Sequence, residues 1–279
     1  MRQKLFRIAA VLVLILAAAV FSYPYWSRWY AGQMQGVAIE NYEDSVRVLT
    51  EEERQAVFQA ALDYNRELAS GVLSDEYGLV FDDVFTPGGA RPPRYGEMLV
   101  IPGADDVMAT VEIPSLGLRL PVYHGVEESS LHRGAGHLPQ TALPVGGEGT
   151  HCVIAGHRGL PGALLFTDLG RAEVGDVFWL RVLDRVQAYE IHNIRVVEPD
   201  DVSALAPVAG QDLATLATCT PLGVNSHRLL LMGHRVPYEP LAPVWPDPIT
   251  SQLLVAVGIV LVLLLALNWM RRQWKKHKA

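Results

Sequence analysis

The chain has 279 residues, of which 50% are hydrophobic, and its 23 Lys and Arg residues against 30 Asp and Glu residues give a formal net charge of −7. The first 23 residues hold three cations and residues 248–279 hold five, with no acid in either segment. The region between them keeps 15 arginines, no lysine and all 30 acidic residues. Such an acidic region argues against a nucleic-acid partner, because phosphate binding needs a basic face. Two cysteines are too few for a disulfide scaffold or a cysteine-rich zinc module.

Two apolar runs, residues 6–23 and 249–270, are each long enough to span a bilayer. Basic residues flank both runs on their outer sides, so the positive-inside rule predicts two transmembrane helices whose outer ends, residues 1–5 and 271–279, are cytoplasmic. The middle of the chain is then extracellular, and membrane lipids contact both spans. The aromatic belt expected at a membrane interface follows the first run; its members are Tyr23, Tyr25, Trp26, Trp29 and Tyr30.

Each apolar run also has an alternative interpretation. The first shares its charged start and apolar stretch with a cleaved signal peptide, although aromatics rather than a small-residue cleavage site follow it. The second resembles a wall-anchoring signal, but such a signal needs an LPxTG-like pentapeptide just ahead, and the sequence there is LAPVWPDP. Membrane spans are therefore the favoured interpretation of both runs.

Between the spans, the sequence predicts a juxtamembrane linker over residues 24–36 and two helices within residues 37–69. The second helix begins at a capping box, in which Thr50 is followed three residues later by Glu53. Residues 70–102 are rich in glycine, proline and aspartate, which predicts a long loop of the kind that often forms a lid.

Residues 103–240 predict a mainly-β domain, because short β-rich runs alternate there with turn residues. Seven strands at this spacing indicate a closed β-barrel, and about 130 residues are enough for one such core. A linker over residues 241–248 leads to the second apolar run. The predicted strands are MATVEIP, LRLPVYHG, HCVIAGH, VFWLRVLD, QAYEIHNIRVVEP, LATLATCT and HRLLLMGHRV.

Each cysteine is either a nucleophile or a small buried hydrophobe. Cys219 ends the predicted strand LATLATC and is followed by Thr220 and Pro221, so it occupies a strand end that a substrate can reach. Cys152 lies inside the strand THCVIAG on the same face as Ile154, which predicts a packing role. An oxidising exterior permits a disulfide between the two cysteines, but we expect both thiols to be free.

A reactive thiol is assisted by a nearby imidazolium or guanidinium, which favours the thiolate. Among the eight histidines outside the basic tail, His157 stands at a strand end in AGHRG, where an acid–base group suits a strand-end nucleophile. His151 and His192 lie inside strands and are interpreted as packing or surface residues, and His132 and His137 as turn residues. Because no cluster of histidine, cysteine and acid has metal-ligand spacing, neither a metal nor a cofactor is predicted.

The order of the candidates excludes some cysteine enzymes, although spacing alone does not rank the His-Arg dipeptides at 157–158, 227–228 and 234–235. Histidine precedes cysteine, which excludes a papain-like arrangement. The chain also has no Ser-His-Gly-Cys signature, which disfavours the peptidoglycan L,D-transpeptidases.

Several motifs in a fixed order carry a family resemblance. Residues 215–221, TLATCTP, and residues 225–231, NSHRLLL, look like the sortase signature TLxTC followed by the catalytic arginine. The segments at 136–147, 151–169 and 196–201 resemble class C sortases, the pilus-assembling branch of that family. The resemblance covers residues 37–240 and implies a sortase-type β-barrel with N-terminal helices and a lid loop. Two membrane spans also fit that branch.

The resemblance implies that Cys219 is the nucleophile, His157 the acid–base group and Arg228 the group that steadies the substrate carbonyl and the oxyanion. In the implied reaction the thiol attacks the Thr carbonyl of an LPxTG-like sorting signal, and a lysine amine of the next pilin subunit resolves the thioacyl enzyme. His227 neighbours Arg228 on a strand, so its side chain must point to the opposite face. Thr218 is expected to shape the pocket.

Exclusion of water is part of the implied task, because water would turn the transpeptidase into a protease. Class C sortases use an N-terminal lid for this, usually through an Asp-Pro-aromatic motif. The nearest match here is Asp83-Val84-Phe85, in which the proline is absent. Tyr77 and Phe81 are alternative anchors for the lid.

Two further questions stay open in the sequence. The lysine-free middle either protects the enzyme from ligating its own side chains or reflects an arginine-biased genome, and the composition bias is the favoured explanation. The alternatives to pilin polymerisation are a housekeeping sortase, which the second span and the long loop disfavour, and a non-catalytic membrane-tethered β-barrel scaffold.

Overall fold

A computed structural model describes residues 2–69, residue 258, and residues 91–240 apart from 161 and 164. The unit that carries the predicted catalytic domain is Arg28–Trp245, and the described residues outside it belong to a second unit. The predicted lid residues Asp83 and Phe85, and the alternative anchors Tyr77 and Phe81, lie outside the described residues.

Helix α1, Arg2–Val48, runs through the segment predicted as a linker, and α2, Glu51–Ala69, follows it. Residues 24–36, which were predicted to be a linker, are helical, and Pro24, a residue that commonly interrupts a helix, lies inside α1. The predicted capping box is confirmed: the backbone N–H of Thr50 donates to the Glu53 carboxylate at 2.8 Å, and the Glu53 N–H donates to the Thr50 hydroxyl at 3.2 Å.

No helix among the described residues combines the length and the apolar character that crossing a membrane requires. Of the second predicted span, residues 249–270, only Gly258 is described. The two spans therefore stay predictions from the sequence.

Eight strands close into a barrel in the order β1-β2-β3-β4-β7-β8-β6-β5, with β5 pairing back onto β1. The prediction of a mainly-β closed barrel is confirmed, with one strand more than expected. The bounds are β1 Val107–Ile113, β2 Leu118–His124, β3 Ala135–His137, β4 Thr150–Ala155, β5 Val177–Val182, β6 Arg185–Val197, β7 Asp212–Thr220 and β8 His227–Val236.

Strand β3 is the strand that the sequence does not reveal, because it has three residues with a glycine at its centre. A Cβ at Gly136 would lie 2.2 Å from the carbonyl oxygen of Gly125, so only glycine allows the chain to pass this close. His137 accordingly lies in a strand and not in a turn, whereas His132 is in a turn as predicted.

Both helices are fixed to the catalytic unit by buried polar side chains. The hydroxyl of Tyr42 on α1 donates to the Met108 carbonyl at 3.2 Å and accepts the Leu183 N–H at 2.8 Å. Asn65 on α2 accepts the Leu143 N–H at 2.7 Å and donates to the Leu143 and Gly146 carbonyls, both at 3.1 Å. Neighbouring apolar side chains of both helices belong to the barrel's main hydrophobic cluster.

The end of the predicted lid loop belongs to this core. Residues Tyr95–Glu97 form a 3-10 turn, and the Tyr95 side chain is fully buried. Its hydroxyl accepts the Gly125 N–H at 3.0 Å and lies 3.0 Å from Nδ1 of His137. The C-terminal end of the predicted loop is thus anchored in the core through Tyr95.

Candidate active site

Strands β7 and β8 place Cys219 and Arg228 side by side. The two residues are direct partners in the antiparallel ladder, and side chains in such a pair share a face with Cβ atoms about 5 Å apart. The thiol of Cys219 is free and half-buried. The Arg228 and Cys219 side chains therefore lie on the same face of the sheet, and both line one cavity.

His157 reaches the same end of the barrel from β4, which runs parallel to β7 with Ala155 opposite Ala217. The pairing continues one residue further, because the Gly156 N–H donates to the Ala217 carbonyl at 3.0 Å. His157 and Cys219 each lie two residues beyond the paired residues Ala155 and Ala217, so they lie at the same height along the two parallel strands.

Thr218 fixes the backbone just before His157. Its buried hydroxyl donates to the Gly156 carbonyl at 2.6 Å. On the other side of the histidine, an Arg158 guanidinium N–H donates to the Thr220 hydroxyl at 2.9 Å. The segment that carries His157 is thus bonded to β7 before and after it, which limits its movement relative to the nucleophile.

A single cavity of about 230 Å³ contains the three predicted catalytic residues. This volume is below the range of about 300–1,000 Å³ typical of small-molecule pockets, so it suits one or two side chains of an extended peptide. Its lining consists of Val126, Glu128, Leu131, Ala155, Gly156, His157, Ala217, Thr218, Cys219 and Arg228.

Glu128 is a neighbour of the site that the sequence patterns do not reveal. It begins the short helix α3, Glu128–Leu131, and its Oε1 atom lies 2.6 Å from Nε2 of His132 and 3.3 Å from Nε2 of His157. The rings of these histidines meet edge to face with centroids 5.6 Å apart. Desolvation opposes ionisation of Glu128, but the hydrogen bond to His132 and the charge of His157 outweigh it and lower the pKa of the carboxyl group.

The remaining histidines near the barrel have structural surroundings. Burial lowers the pKa of His137 and of His151 to about 4 in each case, so both imidazoles are neutral. His151 lies between the Ala206 carbonyl and the Thr215 hydroxyl, which confirms its predicted packing role.

The His-Arg dipeptides at 157–158, 227–228 and 234–235, which spacing alone did not rank, differ in position. His227 contacts Ser226 and Glu198, at 2.8 and 3.3 Å, and does not line the cavity that Arg228 lines. Arg235 lies seven residues further along β8, about 20 Å away at strand rise, and pairs with Asp212.

Cys152 is a packing residue, as predicted. It is buried in the main core cluster together with Ile154 and pairs with Ala214 in the β4–β7 ladder, not with Cys219. Burial raises the pKa of the Cys152 thiol, so it is a poor nucleophile. Both cysteines are free, which agrees with the expectation that they form no disulfide.

Comparison with known proteins identifies the family. The family described as the sortase domain matches residues 111–236 of this chain. Sortase C1 from Streptococcus agalactiae is 36% identical, with a TM-score of 0.64 over 72% of this chain and 99% of that chain. Sortase C-1 from Actinomyces oris is 41% identical, with a TM-score of 0.59 over 67% of this chain and 99% of that chain.

Curated sortases match over shorter segments. Sortase D of Bacillus subtilis is 28% identical over 138 residues, which cover 48% of this chain and 67% of that protein. Two other sortases are matched over 47% and 44% of their own length, so the chain spans about half of these relatives.

The chain therefore belongs to the sortase family, whose members are cysteine transpeptidases. Its structural neighbours are class C sortases, which confirms the resemblance read from the sequence motifs.

Proposed function

We propose that this protein is a class C sortase-type transpeptidase that cleaves an LPxTG-like sorting signal and joins it to a lysine amine of a pilin subunit, which polymerises pili. The observation that carries the proposal is the meeting of Cys219, His157 and Arg228 in one cavity. The similarity to class C sortases over 99% of their solved chains supports the choice of this branch.

In the proposed first step, the Cys219 thiolate attacks the Thr carbonyl carbon of the sorting signal. The carbonyl oxygen becomes an oxyanion, which the guanidinium of Arg228 stabilises. The C–N bond then breaks, the departing amine takes a proton from His157, and a thioester to Cys219 remains.

In the second step, a neutral lysine amine of the next pilin subunit attacks the thioester carbon. The amine proton passes to His157, the Cys219 thiolate leaves, and an isopeptide bond is formed. The imidazole thus returns to the protonation state in which it began, so one group serves both steps.

The cavity wall supports a peptide substrate with apolar residues ahead of the scissile threonine. Its apolar side chains are Val126, Leu131, Ala155 and Ala217. In the proposal these contact the leucine and proline of the pentapeptide, because apolar contact gives affinity without fixing one partner sequence.

The test is cleavage of an LPxTG peptide by the full chain and by Cys219→Ala. We expect the variant to lose cleavage entirely, since no other thiol lines the described cavity. The matched control is Cys152→Ala, which removes the other thiol from the core and should retain cleavage. Unchanged cleavage by Cys219→Ala contradicts the proposal.

A cellular assay separates pilin polymerisation from the alternatives. A covalent pilin ladder that disappears with Cys219→Ala supports the proposed function. Wall-anchored monomers without a ladder favour a housekeeping sortase instead. Peptide binding with no cleavage by any form of the protein favours a non-catalytic scaffold.

We also propose that residues 6–23 and 249–270 hold the enzyme in the cell membrane, with an extracellular catalytic domain and cytoplasmic termini. The support is their apolar sequence and the basic residues on their outer flanks. Tags at either terminus should resist protease in intact cells, whereas a tag inserted between residues 28 and 240 should be cleaved.

A further inference from the structure

A carboxylate and two imidazoles converge at the rim of the candidate active site. The metal-binding atoms of Glu128, His132 and His157 all lie within 4.8 Å of one another. No other group of three such side chains comes together in the part of the chain that the structure describes. Both histidines direct Nε2 toward the same Glu128 oxygen, at 2.6 and 3.3 Å.

Only one of the two histidine contacts with Glu128 is a hydrogen bond. The contact of His132 with Glu128 is a hydrogen bond between residues four apart at helix α3. The Nε2 atom of His157 is different, because it is buried and has no hydrogen-bond partner among the described residues. It lies 3.3 Å from the Glu128 oxygen without hydrogen-bond geometry, so another ligand of this nitrogen has no hydrogen bond to displace.

The donor set and its spacing fit a transition-metal ion. Zn²⁺ binds imidazole nitrogen at about 2.0–2.1 Å in tetrahedral geometry, which places neighbouring ligand atoms about 3.3 Å apart. The distances of 2.6 and 3.3 Å to the shared oxygen need small side-chain adjustments to reach that spacing. Two imidazoles with one carboxylate form a ligand set typical of zinc, whereas Ca²⁺ and Mg²⁺ prefer oxygen ligands.

The site is open to an ion from solution. The side chains of Glu128 and His132 are 65% and 51% exposed, so rotation of either does not disturb the core. His157 is 26% exposed and forms the inner side of the cluster.

We propose that Glu128, His132 and His157 form a binding site for Zn²⁺ or a similar divalent transition metal, and that its occupation inhibits the enzyme. A metal on Nε2 occupies the lone pair that His157 needs in order to carry a proton. The inhibitory part rests on the proposed role of His157 in transpeptidation, whereas metal binding does not depend on it.

Binding is tested by calorimetric titration of Zn²⁺ into the untagged full chain carrying Cys219→Ala, which removes the free thiol at the cavity. We expect one saturable site that Glu128→Gln or His132→Gln weakens by roughly tenfold or more, as expected when a ligand is lost. The matched control is His192→Gln, a surface histidine beside His234 at a ring distance of 5.4 Å, which should leave the affinity unchanged. Absence of a saturable site, or equal affinities in all variants, overturns the proposal.

Inhibition is tested with Cys219 intact, by comparing each protein with its own metal-free rate of peptide cleavage. Zn²⁺ should abolish cleavage by the parent chain, EDTA should restore it, and His132→Gln should be inhibited only at much higher Zn²⁺. Binding without inhibition overturns the regulatory part. A metal-free parent that cleaves no peptide contradicts the proposed function, while the titration still decides whether the metal site exists.

Discussion

A hydrogen bond from strand β7 holds the backbone next to His157. Thr218 donates its hydroxyl to the Gly156 carbonyl at 2.6 Å and so fixes the backbone beside the histidine. Because the hydroxyl is buried, its loss leaves a carbonyl without its partner, a penalty of about 1–3 kcal/mol. Thr218 is therefore a positioning residue.

We expect Thr218→Val to lower kcat for peptide cleavage more than it raises KM, since the shape is kept and only the hydrogen bond is lost. The free energy of unfolding in urea should fall by about 1–2 kcal/mol. Thr218→Ser is the matched control, because it keeps the hydroxyl and should retain most of the activity. Equal kcat for the valine and serine variants would contradict a positioning role.

Two buried histidines make the folded state sensitive to acid. The Nε2–H of His137 donates to the Ala142 carbonyl at 2.8 Å, and the Tyr95 hydroxyl lies 3.0 Å from Nδ1. His151 has one carbonyl and one hydroxyl partner in the same way. Such a pair of partners satisfies a neutral imidazole, which has one donor and one acceptor.

The unfolding free energy should therefore decrease as the pH falls from 6.5 to about 4. The pKa of each histidine drops from 6.5 to about 4 on folding through burial, so between these values the unfolded chain binds protons that the folded chain does not. A shift of this size corresponds to about 3 kcal/mol for each group. Urea titrations at several pH values measure the effect.

The His151→Gln variant should flatten this pH dependence between pH 6.5 and 4, because one of the two buried imidazoles is gone. His234→Gln, which removes an exposed histidine, is the control and should leave the profile unchanged. Parallel profiles for His151→Gln and the parent chain would show that His151 is not the group responsible.

At the level of elements, the contact between α2 and the barrel depends on Asn65. This side chain is 1% exposed and satisfies three backbone groups, of Leu143 and Gly146. Loss of all three bonds leaves buried donors and acceptors unpaired at about 1–3 kcal/mol each, although water entering the space lowers the total.

We expect Asn65→Ala to reduce the free energy of unfolding by about 2–4 kcal/mol, measured in urea. Gln59→Ala, on the exposed face of the same helix, removes a hydrogen bond to Asp63 and should cost less than about 0.5 kcal/mol. Similar losses in the two variants would contradict the assigned role of Asn65.

The elements that local patterns define were predictable from the sequence. The capping box at Thr50 and Glu53 satisfies backbone groups within four residues, and the seven longer strands show alternation and turn residues. Strand β3 and the continuous helix through Pro24 were not predictable, because close backbone contact and the surrounding helix override local propensity there.

The residues of the candidate site, too, were predictable where a local pattern defines them and not where only the fold brings them together. The positions of Cys219 and His157 followed from strand ends and family motifs, and the β7–β8 register then accounts for Arg228. Glu128 and His132 were missed because they come together with His157 only through the fold, across 25 residues of chain. The spacing of four between Glu128 and His132 is the signal in the sequence, but it indicates a helical pair and not an active-site neighbour.

At the scale of the whole molecule, the absence of lysine from residues 24–248 bears on the reaction itself. The second substrate of the proposed enzyme is a lysine amine of a pilin subunit. The thioester can react with any neutral amine, whether it belongs to the pilin or to the enzyme itself. An amine tethered near the thioester has a high effective concentration, up to about millimolar for a short flexible link. A lysine beside the cavity would therefore compete with the pilin.

The choice between protection and arginine bias is tested by adding one lysine at a time. Leu222 is 55% exposed and lies close to Gly159, two residues after His157, so Leu222→Lys places an amine near the cavity. Val208 precedes β7 and lies at the other end of that strand from Cys219, so Val208→Lys is the distant control. Each variant is incubated with an LPxTG peptide and its mass is measured.

If the absence of lysine from residues 24–248 is protective, Leu222→Lys should gain the mass of the acyl fragment on its new side chain, and Val208→Lys should not. The product should vanish when Cys219→Ala is added, because the amine reacts only with the thioacyl enzyme. If neither lysine variant is modified while both cleave the peptide, the absence of lysine reflects composition alone. Modification of both variants to the same extent would indicate transfer between molecules, and then a lysine anywhere on the exterior would divert the acyl group from the pilin.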